Sequence, residues 1–307
     1  MRDGDADIEI IGPASSHYVS QGLRLHYVDW GNPHAAPLVL IHGGRDHARS
    51  WDQVARDLRR DHHVVAPDLR GHGDSEWARG GSYAIQEFVL DVARLIEALG
   101  ERRVTLVAHS LGGNVALQYA SIFPGRVERL VSIEGLGPSP RMWEERTAVS
   151  HAERLAEWID RTRELSGKRP RAYPSIEAAA ERMLEANSFL SREQALHLTV
   201  HGVARNEDGS FRWKFDNAVR SHMPQRGTLE DQREVWSRIT CPTLLVRGAR
   251  SWASDPEEDG RITAFPRARR VNIEGAGHWV HHDQLDRFLA EVRRFLAEDP
   301  GGGAQGK

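Results

Sequence analysis

The sequence holds one cysteine, Cys241, in 307 residues. That excludes an internal disulfide and makes a reducing, cytoplasmic setting the expectation. Cys241 precedes Pro242 at the mouth of an apolar strand and is read as a packing residue rather than a nucleophile. No apolar run approaches the ~20 residues needed to span a bilayer. The acidic start, Met1 to Glu9, lacks the apolar core of a signal peptide, so no membrane association is expected. Charge of one sign is also missing: the net charge is −3, and the numerous arginines are matched by acids. This gives no case for a nucleic-acid partner. None of the sixteen histidines shows a His-x-Glu-x-x-His spacing. The adjacent pairs His62-His63 and His281-His282 would point to opposite faces of a strand, so neither a metal nor another cofactor is expected.

What remains is a hydrophobic content of 39% and a charged fraction of 28%, the balance of a soluble globular protein long enough to bury a substantial core. Residues 1 to about 14 read as a disordered lead. Tyr18-Val19 and Leu23 to Asp29 alternate around Gln21-Gly22 as a hairpin. The apolar runs Leu38 to Ile41, His63 to Pro67, Val104 to Val107 and Leu130 to Ile133 read as strands, with amphipathic helices from about Trp51 and over 85 to 99 between them. Strands separated by helices imply a parallel sheet with helices on both faces. The alternation breaks between Gly137 and about Glu234, a charged, helical stretch (His151 to Ser166, Ile176 to Ala186, Ser191 to His201) read as a cap inserted into the core. It resumes with a strand Thr243 to Arg247, a helix near Glu257 to Ala264, a strand Arg270 to Ile273 and a closing helix to Ala297. The glycine-rich end, 299–307, reads as a flexible tail.

The chain is organised around Arg103 to Gln118, where a strand ends abruptly in Ala108-His109-Ser110-Leu111-Gly112-Gly113 and continues as a helix. A strand turning sharply into a helix around one serine is a nucleophile elbow. Small residues at Ala108 and Gly112 let strand and helix approach closely, and the backbone N–H of Leu111 at the helix N-terminus can meet a developing oxyanion. A serine hydroxyl is a poor nucleophile without a base, and the base needs an orienting acid. Ligands on such a sheet gather beyond the carboxyl ends of its strands. That singles out His278, in Gly275-Ala276-Gly277-His278-Trp279 after the last strand. His42, in a His-Gly-Gly turn, is read as shaping its loop, and His109 as pointing away from the position the Ser110 hydroxyl takes.

In chain order, the segments His42-Gly43-Gly44, Asp68 to Ser75, Ala108 to Gly113, Thr240 to Val246 and Gly275 to His278 closely resemble the α/β-hydrolase family, and in particular its capped serine-hydrolase-like and esterase members. The segments Ile133 to Pro138 and Trp213 to Asp216 carry the closer likeness. The resemblance implies a mostly parallel, doubly wound eight-stranded sheet with a helical cap after the sixth strand, the core being 15–136 and 235–298 and the cap 137–234. It further implies an oxyanion hole from the N–H groups of Gly44 and Leu111, and bracing roles for Asp68, Arg70 and His72.

Family members usually place the triad acid shortly after the strand that here ends near Gly248, but that slot reads Ala249-Arg250-Ser251-Trp252. Two carboxylates remain: Glu134, at the end of the preceding core strand, and Asp255, farther along the same loop. Glu134 is favoured, with Asp255 the alternative. A serine nucleophile, where epoxide hydrolases and haloalkane dehalogenases of this scaffold use aspartate, favours acyl transfer on a small-molecule substrate. The expected activity is cleavage of a carboxylic ester, thioester or lactone. Carbon–carbon bond hydrolysis by the same triad and a non-catalytic binding protein on the same fold are the alternatives. Arg45, Asp46, His47 and Trp213 are candidates to line the pocket, and the protein is expected to be a monomer or homodimer.

Overall fold

The computed structural model describes residues 12–80, 83–166, 168–221 and 227–298. The lead up to residue 11 and the tail 299–307 lie outside the described residues, and the first strand opens at Ala14. Along the core run β1 (Ala14–Ser20), β2 (Leu23–Asp29), β3 (Ala36–Ile41), α1 (Asp52–Leu58), β4 (His62–Pro67), α2 (Ile85–Ala98), β5 (Val104–His109), α3 (Leu111–Ile122) and β6 (Val127–Ile133). Then come α4 (Pro140–Ala148), α5 (His151–Ser166), α6 (Ile176–Ala186), α7 (Arg192–Gly202), a small hairpin of β7 (Val203–Arg205) and β8 (Phe211–Trp213), and α8 (Leu229–Ser237). The core closes with β9 (Thr243–Gly248), β10 (Ala268–Ile273), the short α9 (Val280–Asp283) and α10 (Leu285–Ala297).

Eight strands form one sheet in the order β1-β2-β4-β3-β5-β6-β9-β10. β2 runs antiparallel to both β1 and β4; from β4 to β10 every pairing is parallel. Successive side chains of a strand face opposite ways, so the continuous apolar runs feed two cores. Val39, Ile41, Leu106 and Leu130 pack with Phe88 and Val92 of α2, Val115 and Tyr119 of α3, and Trp236 of α8. Leu38, Leu40, Val107 and Val131 pack on the other face with Trp51, Val54, Leu58, Phe288, Val292 and Phe295. The spacing of the last three is the helical repeat that turns one stripe of α10 inward.

The helices between β6 and α8 start where their sequences cap them. Ser139, Ser175 and Ser191 each accept a backbone N–H three residues on, and Gln194 closes a capping box with Ser191. Their apolar residues form small clusters of their own, Tyr173, Ala179 and Val203 in one and Leu190, Ala195 and Leu198 in another. Polar contacts bind this segment to the core: Tyr83 donates its hydroxyl to Asp216 at 2.6 Å and Lys214 pairs with Asp74 at 2.8 Å.

Three details differ from the sequence reading. The boundary drawn between residues 234 and 235 falls inside α8, which packs on α3 and buries Trp236 in the core. A helix α4 forms at 140–148, started by Ser139 with Pro140 at its first position. The helix expected over 257–264 is instead a turn followed by a 3-10 helix at Arg261–Ala264. Arg261 is drawn inward there, its guanidinium donating to the carbonyls of Gly137, Pro138 and Ser254. Among the described residues no helix is long and apolar enough to cross a membrane.

Candidate active site

Ser110 stands between β5 and α3 with φ 50° and ψ −112°, a backbone conformation that side-chain-bearing residues rarely adopt. The turn is this tight because glycines admit it. A Cβ on Gly112 would lie 2.5 Å from the carbonyl oxygens of Ile41 and His42, and one on Gly113 would lie 2.7 Å from the Cα of Gly135. The helix therefore abuts the ends of β3 and β6, and the serine hydroxyl stands clear of the sheet.

His278 reaches it from the loop after β10. Its Nε2 lies 3.1 Å from the Ser110 hydroxyl and its Nδ1 3.4 Å from the Glu134 carboxylate. Glu134 follows β6 directly, with φ 53°, so a second strained residue aims a side chain at the same point. That side chain is shut off from solvent, and its charge is met by two donors besides the histidine. Gly248 donates its N–H at 2.8 Å to one carboxylate oxygen, and Ser251 its hydroxyl at 2.9 Å to the other.

Behind the serine, His109 donates from Nε2 to the backbone carbonyl of His278 at 3.0 Å. Burial, with His278 nearby, holds its pKa well below the usual histidine value, so the ring is neutral and carries that proton. Trp252 covers the imidazole of His278 from outside, the ring centres 5.0 Å apart. Gly44 and Leu111 stand side by side, a Cβ on Gly44 falling 3.9 Å from that of Leu111. Among the described residues neither backbone N–H is taken up by a carbonyl. Both residues reach solvent, Gly44 being exposed and Leu111 partly buried.

A strained serine at a strand–helix elbow, a histidine beside it and a carboxylate behind the histidine sit on a sheet of the order given above, and the model of the alpha/beta hydrolase fold matches residues 36–285. The chain belongs to the α/β-hydrolase fold family. The hydrolase is similar over most of its length to proteins named serine hydrolases and esterases. It is 31% identical to a serine hydrolase-like protein of Danio rerio over 87% of this chain and 83% of that one. It is 26% identical to esterase YbfF of Escherichia coli, over 85% and 93%. Among solved structures, a thioesterase domain from the curacin biosynthetic pathway superposes with a TM-score of 0.80 at 26% identity, covering 92% of this chain and 99% of that domain.

The other expected site residues of this hydrolase have definite places. Asp255 is engaged elsewhere: it accepts the N–H of Glu257 at 2.9 Å and contacts Arg270 at 3.2 Å and Asn272 at 3.2 Å. Burial raises its carboxyl, but those donors outweigh it and hold the group below its usual range. Arg45 is exposed beside Gly44 at φ 65°. Asp46 accepts the N–H of His47 at 2.9 Å. His47 is buried, and its Nε2 donates to the Leu198 carbonyl of α7 at 2.9 Å. It therefore ties the loop to the segment above rather than presenting a free ring. Trp213 donates its indole N–H to Tyr173 at 3.2 Å and packs in the cluster of that residue.

Asp68 accepts from His26 at 2.7 Å, from Ala48 N–H at 2.7 Å and from Asp74 N–H at 2.9 Å. Burial raises its carboxyl, and these donors, the His26 hydrogen bond foremost, more than reverse that. His42 accepts the N–H of Leu69 at 2.9 Å, its pKa lowered to about 3 chiefly by burial. Arg70 forms a buried bidentate pair with Asp91 at 2.6 and 2.7 Å. His72 bonds the Arg70 carbonyl at 2.9 Å. All four brace loops. Cys241 is buried, and its thiol is pushed up to about 11 by burial.

Four residues stand in places that the sequence did not assign them. Ser251 occupies the slot where the family's acid usually stands and gives its hydroxyl to Glu134 instead. His109 anchors the base loop. His281 and His282 lie on α9, not on a strand, so they do not point to opposite faces but hold their ring centres 4.2 Å apart.

Proposed function

We propose that this protein is a serine hydrolase that cleaves a small carboxylic ester or thioester through an acyl-enzyme on Ser110. The observation that carries the reading is the continuous contact of one imidazole with both partners, 3.1 Å to the Ser110 hydroxyl and 3.4 Å to Glu134. In this reading Glu134 holds the Nδ1–H of His278, which leaves Nε2 as the lone pair that receives the serine proton during attack on the substrate carbonyl. The N–H groups of Gly44 and Leu111 meet the oxyanion of the tetrahedral intermediate. The imidazolium then gives its proton to the departing alcohol or thiol, the acyl group stays on Ser110, and water activated by the same imidazole releases the acid. The buried carboxylate stabilises the imidazolium at both stages.

The named esterase relative and the thioesterase neighbour support testing oxygen and sulfur esters together. A fluorophosphonate probe should label the wild type and leave Ser110→Ala unlabelled. A panel of short-chain p-nitrophenyl esters, lactones and acyl thioesters, with His278→Ala as control, then defines the leaving group. A folded wild-type protein that neither takes the probe nor turns over any member of the panel would overturn the proposal in favour of a binding role.

A further inference from the structure

Beside the triad, the interior holds histidines whose ring nitrogens have no partner. His281 and His282 are buried, at 1% and 8% exposure. Among the described residues neither nitrogen of His281, nor Nε2 of His282, makes a hydrogen bond. A neutral imidazole carries one N–H and one lone pair, so His281 conceals an unmet donor and an unmet acceptor. Leaving such groups dry is costly, and native interiors satisfy them with protein, water or an ion. Asp46 completes the cluster: one oxygen of its carboxylate and one nitrogen from each ring all lie within 4.8 Å of one another.

We propose that Asp46, His281 and His282 bind a divalent transition-metal ion, with zinc the best match to the donors. Two imidazoles and one carboxylate are borderline ligands that suit zinc, cobalt or nickel rather than calcium or magnesium. Tetrahedral zinc at about 2.0–2.2 Å from its ligands sets donors about 3.3 Å apart, so modest side-chain rotations close the cluster. Three protein ligands leave a fourth position for water. Trp51 stacks on His281 with ring centres 4.3 Å apart.

Two other clusters share the spacing but are already satisfied. In Asp52, His197 and His201, the guanidinium of Arg49 donates to both oxygens of Asp52 at 2.8, 2.9 and 2.6 Å and so occupies the cation's place. In His26, Asp68 and Asp74, the oxygens of Asp68 are taken by His26 and by two backbone N–H groups. The proposed site also stands where separate parts meet. Asp46 lies two residues beyond Gly44, His281 three beyond His278, and the His282 carbonyl accepts from Gln194 of α7 at 2.9 Å. An ion there ties the loop carrying Gly44 to the loop carrying His278.

The test uses the untagged full-length chain, stripped with chelator and titrated with cobalt and then zinc chloride. One equivalent of cobalt should bind and give the visible absorption of a four-coordinate ion, and zinc should displace it and raise the Tm by several degrees. His282→Gln and Asp46→Asn should each lose at least tenfold in affinity, while the double variant His197→Ala/His201→Ala keeps the wild-type stoichiometry. If either ligand variant fails to fold, anomalous scattering from zinc-soaked wild-type crystals decides: a peak between Asp46, His281 and His282 is expected. No saturable binding, a peak elsewhere, or loss of binding only in the His197/His201 variant would overturn the proposal.

Discussion

Replacing Glu134 with glutamine tests the proposed acid most sharply, because the surrounding hydrogen bonds dictate which way the amide must face. Gly248 presents an N–H at 2.8 Å to one oxygen of the carboxylate, so the carbonyl of a glutamine must take that side. The NH2 group is then turned toward Ser251 and His278, the partners of the other oxygen. An NH2 facing Nδ1 obliges that nitrogen to accept, which moves the imidazole proton to Nε2. Nε2 then cannot take the proton of Ser110. The wrong tautomer in an equivalent triad costs about 10⁴ in kcat, and with Ser251 still in place we expect a loss of about 10³–10⁴-fold, or roughly 4–5.5 kcal/mol of transition-state stabilisation. KM should change little, since Glu134 is buried behind the base. Steady-state turnover of p-nitrophenyl butyrate, with circular dichroism to show that the variant is folded, measures the effect. Asp255→Asn is the matched control: its carboxylate caps Glu257, so the change should lower stability by about 1 kcal/mol and leave turnover within about twofold of wild type. A folded Glu134→Gln enzyme within tenfold of wild-type kcat would refute the reasoning, more so if Asp255→Asn were the variant that lost activity.

Removing the Ser251 hydroxyl (Ser251→Ala) takes one donor from Glu134 and should lower kcat by about 3–30-fold with little effect on folding, since a hydrogen bond to a charged group contributes about 1.5–3 kcal/mol only when fully realised; unchanged kcat would remove Ser251 from the site. Gly135→Ala should unfold or severely destabilise the protein, because its Cβ would meet the Gly113 Cα at 2.6 Å, a backbone atom that cannot swing aside; a Tm within a degree or two of wild type would contradict that. Arg70→Ala strands the buried carboxylate of Asp91 and should cost about 3–5 kcal/mol in urea unfolding. Stability should also fall on mild acidification. Folded His42 and His72 have pKa values lowered to about 3 and about 4, chiefly by burial, against about 6.5 unfolded. Below about 6.5 the unfolded chain takes up protons that the folded one refuses, so the loss from each approaches ~1.4 kcal/mol per pH unit, together ~3 kcal/mol between pH 6.5 and 5. Urea midpoints at those two pH values check the sign, and a flat profile would refute it.

The fold was legible because its evidence is local and repetitive. Continuous apolar strands, amphipathic helices and glycine-bearing turns recur in order, and the elbow, the base loop and the extent of α5 and α6 read directly from residue pattern. Failures came where tertiary partners decide. The helix expected after Asp255 did not form because buried Arg261 bonds to carbonyls as far away as Gly137. His47 read as a pocket residue since its loop leads to the site, but its partner, Leu198, is 151 residues distant. Two carboxylates followed core strands, and sequence alone left both open; they differ in a positive φ at Glu134 and in the donors of Gly248 and Ser251, none of which leaves a mark in composition or period. His281 and His282 looked like a strand pair because a four-residue helix is too short to show periodicity.

The donors around Glu134 carry a consequence for how such machinery can be rewired. Gly248 and Ser251 belong to the loop after β9, and they cradle a carboxylate delivered from the neighbouring strand. Donor cradle and proposed acid are thus separable parts, encoded more than a hundred positions apart. Shortening residue 134 while lengthening residue 251 to an aspartate would hand the charge across a single hydrogen bond, with the imidazole and its target untouched. Under the proposed mechanism, two substitutions separate the two arrangements of the same three parts.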